Sequence, residues 1–212
     1  MKAFIVFGRA CKFIWEDMLL LILMNMLTLL CCVLIIPGPA AWAALCHMCN
    51  RVSNEFAISW EEYWKVFRRE WKPWAVMTII GTLVSALIGI NFVFYSLAFP
   101  NQAWVPYVQG AWLAAGVLWL AIQFYIYPLY VEQEKKTWRI ALRNAAVVSG
   151  ASPLFSFILI VLGALLIILS LVFVPPLFVL LGLSFWLTLS NAATVDRLAV
   201  YRKRADETQA KS

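Results

Sequence analysis

Three stretches of this chain, 18–50, 73–131 and 144–195, contain no Asp, Glu, Lys or Arg. All formal charge lies in the clusters 1–17, 51–72, 132–143 and 196–212. A soluble domain carries charge at about 25% of its positions, whereas this chain carries 13% and confines it to blocks. Each empty stretch is apolar and longer than the ~20 residues that one helix needs to cross a bilayer. Each also holds proline near its middle: Pro37-Gly38-Pro39, then Pro100 with Pro106, then Pro175-Pro176. The pattern reads as three helical hairpins, an all-α polytopic membrane fold in a single domain, 1–212.

Six spans are expected, at 18–36, 38–52, 74–96, 109–131, 153–174 and 177–195. Segment 38–52 is short and contains His47 and Asn50, so the count is five to six. Lys and Arg are retained on the cytoplasmic side of a membrane. None of the 17 basic residues falls in the connections 37–39, 97–108 or 174–176. Six crossings therefore place all four clusters on one side, with both termini cytoplasmic. In a rival topology 18–36 and 38–52 enter the membrane and return without crossing, which also keeps 51–72 inside. The apolar run Ala3–Phe7 is too short for a signal-peptide core, so the first span is expected to act as an uncleaved insertion signal.

The clusters themselves read as amphipathic helices, at 3–15, 59–72 and 137–148. Ser59 followed by Glu62 has capping-box spacing. Trp60, Trp64, Phe67 and Trp71 share one helical face, suited to the head-group layer or to docking a partner. Gly38 is expected to permit the reversal between Pro37 and Pro39, with Pro39 in the first turn of the next helix. Phe4, Phe7, Cys11 and Ile14 form a weaker stripe, as do Trp138, Ala141, Leu142 and Ala145. Trp15, Trp71, Trp74, Tyr127, Tyr130 and Trp138 mark one aromatic belt; Tyr95, Trp104 and Tyr107 mark the other. The net charge of +6 suits anionic lipid head groups. It does not suggest nucleic acid, because acids are interspersed and there is no long basic run.

Coupled transport and intramembrane catalysis usually need an ionisable group at membrane depth. No Asp, Glu, Lys or Arg lies in the expected spans short of Arg51 at the end of 38–52, which counts against both. The polar candidates there are Asn25, Asn91 and Gln123, as interhelical hydrogen-bonding groups or as the lining of a solute path. Gly81, Ser85 and Gly89 recur every four residues and form a candidate packing seam. Cys46-His47-Met48-Cys49 has the spacing of half a metal or redox site, but only one His and no second CxxC exist, so no metal and no cofactor is expected. There is no Walker loop, GxSxG or HExxH.

The order of features in 18–74 resembles the YesL-like family of bacterial integral membrane proteins. An apolar span with Asn25 leads to the turn Gly38-Pro39-Ala40. A small-residue helix then ends at Arg51, and an aromatic and basic segment runs from Trp60 to Trp71. Ile35-Ile36-Pro37 stands where the family has Thr-Ile before the turn. The resemblance implies a bacterial cytoplasmic-membrane protein with no assigned activity, and an accessory role in sugar import. Three readings stand. The first is a non-enzymatic accessory or scaffold protein whose partner is another membrane protein or a second copy of the chain. The second is a small channel or facilitator for an uncharged polar solute, and the third a lipid-acting enzyme.

Overall fold

A computed structural model describes residues 2–100 and 102–209, and the described residues form helices without strands. In order these are α1 (Lys2–Glu16), α2 (Met18–Val33), α3 (Gly38–Ser53), α4 (Trp60–Arg69), α5 (Trp71–Ala98), α6 (Val105–Glu132), α7 (Trp138–Ala151), α8 (Pro153–Phe173) and α9 (Pro175–Gln209). Four helices are long and apolar enough to cross a membrane: α5, α6, α8 and α9. The count rises to five if α1 and α2, bent by 92° at Asp17, are taken as one broken span. Helices α2 and α3 have 16 residues each. That is about 24 Å of helix, short of the ~30 Å hydrocarbon core.

The centre of the bundle is the α3–α9 pair. Helix α9 touches α1, α2, α3, α6 and α8, while α3 touches α2, α4, α5 and α6 as well. Small residues allow this closeness: Ala40, Ala41, Ala43, Ala44, Cys46 and Cys49 of α3 are all buried. Opposite them α9 presents Ser184, Thr188 and Asn191, spaced four and three apart on one face and likewise buried.

Several boundaries differ from the sequence expectation, each for a local reason. The expected helix 59–72 starts as foreseen, with Ser59 accepting a hydrogen bond from the Glu62 amide at 3.3 Å. It ends at Arg69 because Pro73 cannot sit inside a continuous helix, where its ring meets the carbonyl four residues earlier. Pro73 is tolerated in the first turn of α5, whose amides lack partners in any case. Trp71 thereby leaves the face of Trp60, Trp64 and Phe67 and joins α5. Helix α9 runs on past 195 to Gln209, so the last span and the terminal cluster are one helix. At the N-terminus the buried stripe is Ala3, Val6, Ala10, Phe13 and Ile14. Alanines seat α1 closely on α8 and α9, while Phe4 and Cys11 of the expected stripe point outward.

The α2–α3 reversal is also not made as the sequence suggested. Gly38 has an ordinary negative φ, and the left-handed residue is Ile35, at φ 63°. A β-branched side chain there is strained. Gly38 is needed for close approach instead: a Cβ on it would lie 3.3 Å from the Cys32 Cα.

Candidate functional site

Three of the four charged clusters, 1–17, 51–72 and 132–143, meet at one end of the bundle. Glu70, between α4 and α5, accepts hydrogen bonds from Lys136 Nζ at 2.9 Å and Arg69 Nη2 at 3.0 Å. Lys136 Nζ also lies 3.3 Å from His47 Nε2. The side chains of Glu70 and Lys136 are only 7% and 24% exposed. Burial works to raise the Glu70 carboxyl, but the Lys136 and Arg69 hydrogen bonds outweigh it and hold the pKa below its ordinary value. Nearby, Glu132 Oε1 accepts from Asn50 Nδ2 at 2.8 Å and Asn54 Nδ2 at 3.1 Å. Arg51 pairs with Glu62 at 3.0 Å. Lys12, Glu16 and Asp17 border the same region beside Glu55 and Phe56. Cluster 51–72 is thus pinned to 132–143 and abuts 1–17. Sequence reading passed over Glu70 and Lys136, which sit 66 positions apart.

Immediately inside this ionic foot lies an aromatic plug. Trp74 is fully buried, stacked on Tyr127 at 5.2 Å and edge-on to Tyr130 at 5.8 Å. These three do not form the expected interfacial belt, because they fill the space between α3, α5 and α6. On α4, Tyr63 is the buried residue. Trp60 stacks on it at 5.7 Å, Trp64 and Phe67 flank it, and its hydroxyl meets Thr28 Oγ1 at 2.9 Å. Trp60 keeps 40% of its surface exposed and Trp64 is half-buried, both bordering a shallow surface groove with Glu61, Lys65 and Arg68.

The intramembrane polar candidates go to three separate places. Asn25 is fully buried against α9: its Nδ2 donates to the Val179 carbonyl at 2.6 Å, and its Oδ1 accepts from the Ser184 amide at 2.8 Å. Asn91 donates to the Leu87 carbonyl of its own helix at 2.8 Å. Gln123 packs over Gly81, where a Cβ would lie 2.9 Å from its Nε2. In the seam, Ser85 accepts from Trp119 Nε1 at 3.0 Å. Gly89 has open space around it, so the α5–α6 contact follows Gly81, Ser85 and Ile88 on Gly116 instead. Cys46 and Cys49 share one face of α3 and are buried against α9, within 3.7 Å of Asn191 Nδ2 and the Ser184 carbonyl respectively. His47 is turned about 100° away by helical spacing and faces Lys136, so these three do not converge.

Two features of α9 were missed. Ser184, Thr188 and Asn191 form a polar stripe whose spacing is visible in the sequence. Ser190 donates to the Phe124 carbonyl of α6. That carbonyl lacks a helical partner because residue 128, four positions on, is proline.

A groove of about 700 Å³ opens on the outer surface between the α2–α3 turn and α5. Ile36, Pro39 and Trp42 line it from the hairpin, Ala75, Thr78, Ile79, Thr82 and Leu83 from α5, and Tyr127 from α6. The turn therefore lies level with Thr82 and Leu83. Helix α5 continues for 15 residues beyond Leu83 to Ala98, a further ~22 Å.

Long apolar helices around a buried polar seam, with three charged clusters gathered at one end, define an all-α membrane protein. Residues 18–92 match the family described as "Protein of unknown function, DUF624". The YesL-like proteins belong to this family, and the resemblance drawn from 18–74 falls inside the matched segment. No curated protein and no solved structure matches the chain.

Proposed function

We propose that this protein is a non-enzymatic accessory or scaffold protein of the bacterial cytoplasmic membrane, engaging another membrane protein through its aromatic and basic foot. By the YesL-like resemblance, that partner belongs to a carbohydrate uptake system. The observation that carries this reading is the fate of the polar groups at membrane depth. Asn25, Asn91 and Gln123 are engaged with three different neighbours, and none of them lines the groove at the α2–α3 turn. A facilitator would need them to line one path. The exposed edge of α4, with Trp60, Lys65 and Arg68, suits a contact surface, because Trp and Arg are enriched where protein partners meet.

In this reading α5, α6, α8 and α9 cross the membrane, and the α2–α3 hairpin enters from the cytoplasmic side and returns. Two observations support it: the 16-residue helices fall short of a crossing, and their turn is level with the middle of α5. All four charged clusters stay on one side, as the positive-inside bias requires.

Affinity purification in mild detergent tests the function. A stoichiometric membrane partner should co-purify, and Trp60→Ala with Arg68→Ala should weaken its retention. A clean homo-oligomer that renders liposomes permeable to sugar would overturn the reading. Topology is tested separately by labelling single cysteines on a Cys-less background with an impermeant reagent. Gln102→Cys should label from outside and Glu61→Cys from inside, while Ile36→Cys should label from neither side. External labelling of Ile36→Cys would mean that the hairpin crosses.

A further inference from the structure

We infer that the groove between the α2–α3 turn and α5 holds one acyl chain of a cytoplasmic-leaflet phospholipid, with its anionic head group at Lys72. The inference rests on the re-entrant reading of the hairpin. In that topology the groove opens sideways to hydrocarbon, not to water, and its lining is mainly apolar, with Thr78, Thr82 and Tyr127 as its hydroxyl-bearing members. Its volume of about 700 Å³ lies in the range of built ligand sites, ~300–1,000 Å³.

Two features fix the occupant. The first is length. Lys72, Ala75, Ile79 and Leu83 follow one another at i, i+3, i+7 and i+11 on one face of α5. From Lys72 to Leu83 the helix rises about 16 Å. One leaflet of a bilayer contributes half of the ~30 Å core, about 15 Å. The stripe from Lys72 through the groove therefore spans a single leaflet, with Ile35 and Ile36 lining the groove at the midplane end. The second is charge. Lys72 is exposed at the outer end of the stripe, with its Nζ over the Trp71 ring at 5.8 Å. Arg68 lies close by in sequence and is exposed as well. A cation and an exposed indole at this depth meet an anionic phosphate and the glycerol region beneath it. A free fatty acid, a neutral lipid or a partner's helix would use the apolar walls without needing the cation, and these are the competing outcomes.

Native mass spectrometry of the detergent-purified protein, supplied with phosphatidylglycerol or phosphatidylcholine, reads this directly. The wild type should retain one phospholipid and prefer phosphatidylglycerol. Ala75→Trp fills the groove and should abolish the retained adduct. Leu87→Trp, one turn beyond the groove on the same helix, should leave it intact. Lys72→Ala should keep the adduct but reduce the preference for the anionic lipid about five-fold, the worth of one basic residue at a charged surface. Absence of a retained lipid in the wild type overturns the inference. So does an adduct that survives Ala75→Trp, or an equal preference for the two lipids. The labelling of Ile36→Cys is an independent readout. A retained lipid with Ile36→Cys labelled from outside would overturn the single-leaflet assignment together with the topology, whereas a lost lipid with Ile36→Cys unlabelled would overturn the inference alone. A failed pull-down bears on neither result.

Discussion

Replacing Ser190 by alanine should expose how this bundle tolerates a proline in the middle of a long helix. Pro128 has no N–H, so the Phe124 carbonyl has no partner within α6. Ser190 of α9 supplies the missing donor. Both residues are buried, Ser190 at 2% and Phe124 at 1% exposure, so water cannot replace the hydroxyl. An unpaired buried carbonyl costs about 1–3 kcal/mol, and hydrogen bonds between transmembrane helices average ~0.6 and reach ~1.7 kcal/mol. The absence of an alternative donor puts Ser190→Ala near the upper end of the second range, about 1.5 kcal/mol. The decisive comparison is the same substitution in a Pro128→Ala background. Alanine restores the amide that bonds Phe124 within the helix, so the loss of Ser190 should then cost less than about 0.5 kcal/mol. Equilibrium unfolding in mixed micelles, followed by far-UV circular dichroism, gives all four corners of the cycle. Equal costs in the two backgrounds would refute the reasoning, because the hydroxyl would then not be compensating for the proline.

Two further outcomes follow from the ends of helices. Glu70→Gln should destabilise the protein by about 2 kcal/mol, below the ~3–5 kcal/mol of a fully buried pair because Lys136 keeps some contact with solvent. The folded Glu70 carboxyl titrates below its unfolded value. Its contribution is therefore complete above the unfolded pKa of ~4.3 and is lost as pH falls through the lower, folded value. Acid unfolding of Glu70→Gln should show less pH dependence in that window, and an unchanged profile would show that the ion pair is inert. Glu55 occupies the left-handed position that follows α3, at φ 61°. The Phe56 amide bonds the Arg51 carbonyl at 2.9 Å and the Glu55 amide the Val52 carbonyl at 3.0 Å, completing a Schellman motif. Glu55→Gly should raise stability by about 0.5–1 kcal/mol and Glu55→Ala should not. Identical melting temperatures for the two variants would remove backbone strain as the cause.

Much of the architecture was legible in the chain because it depends on local composition. Charge-free runs identify helices that can lie in hydrocarbon, and prolines mark where α6, α8 and α9 begin. The Ser59–Glu62 spacing fixed the start of α4. Pro73 marked its end as clearly, but the apolar period carried the expected helix to residue 72, three positions past its end at Arg69. Small residues in 38–52 identified a closely packed helix. They could not say that its partner would be α9, about 135 positions away. The candidate site was less legible. Asn25 stood out as a polar residue in an apolar run, yet whether it lined a path or tied two helices depended on what lay opposite. Glu70 and Lys136 looked like ordinary members of charged clusters until the fold buried them together. Pro128 declared a missing amide, but not that Ser190 would answer it.

By itself, then, the sequence determined an all-helical membrane protein with its charge gathered in four clusters, because the exclusion of charge from hydrocarbon is a property of each segment alone. Tertiary structure decided the rest. It set the depth of the α2–α3 turn against α5, placed Ile36 in the lining of the groove, and turned Asn25 and the cysteines into fastenings on α9. Those outcomes depend on which surfaces meet. A helix of small residues is compatible with many neighbours, and only the packed bundle selects one.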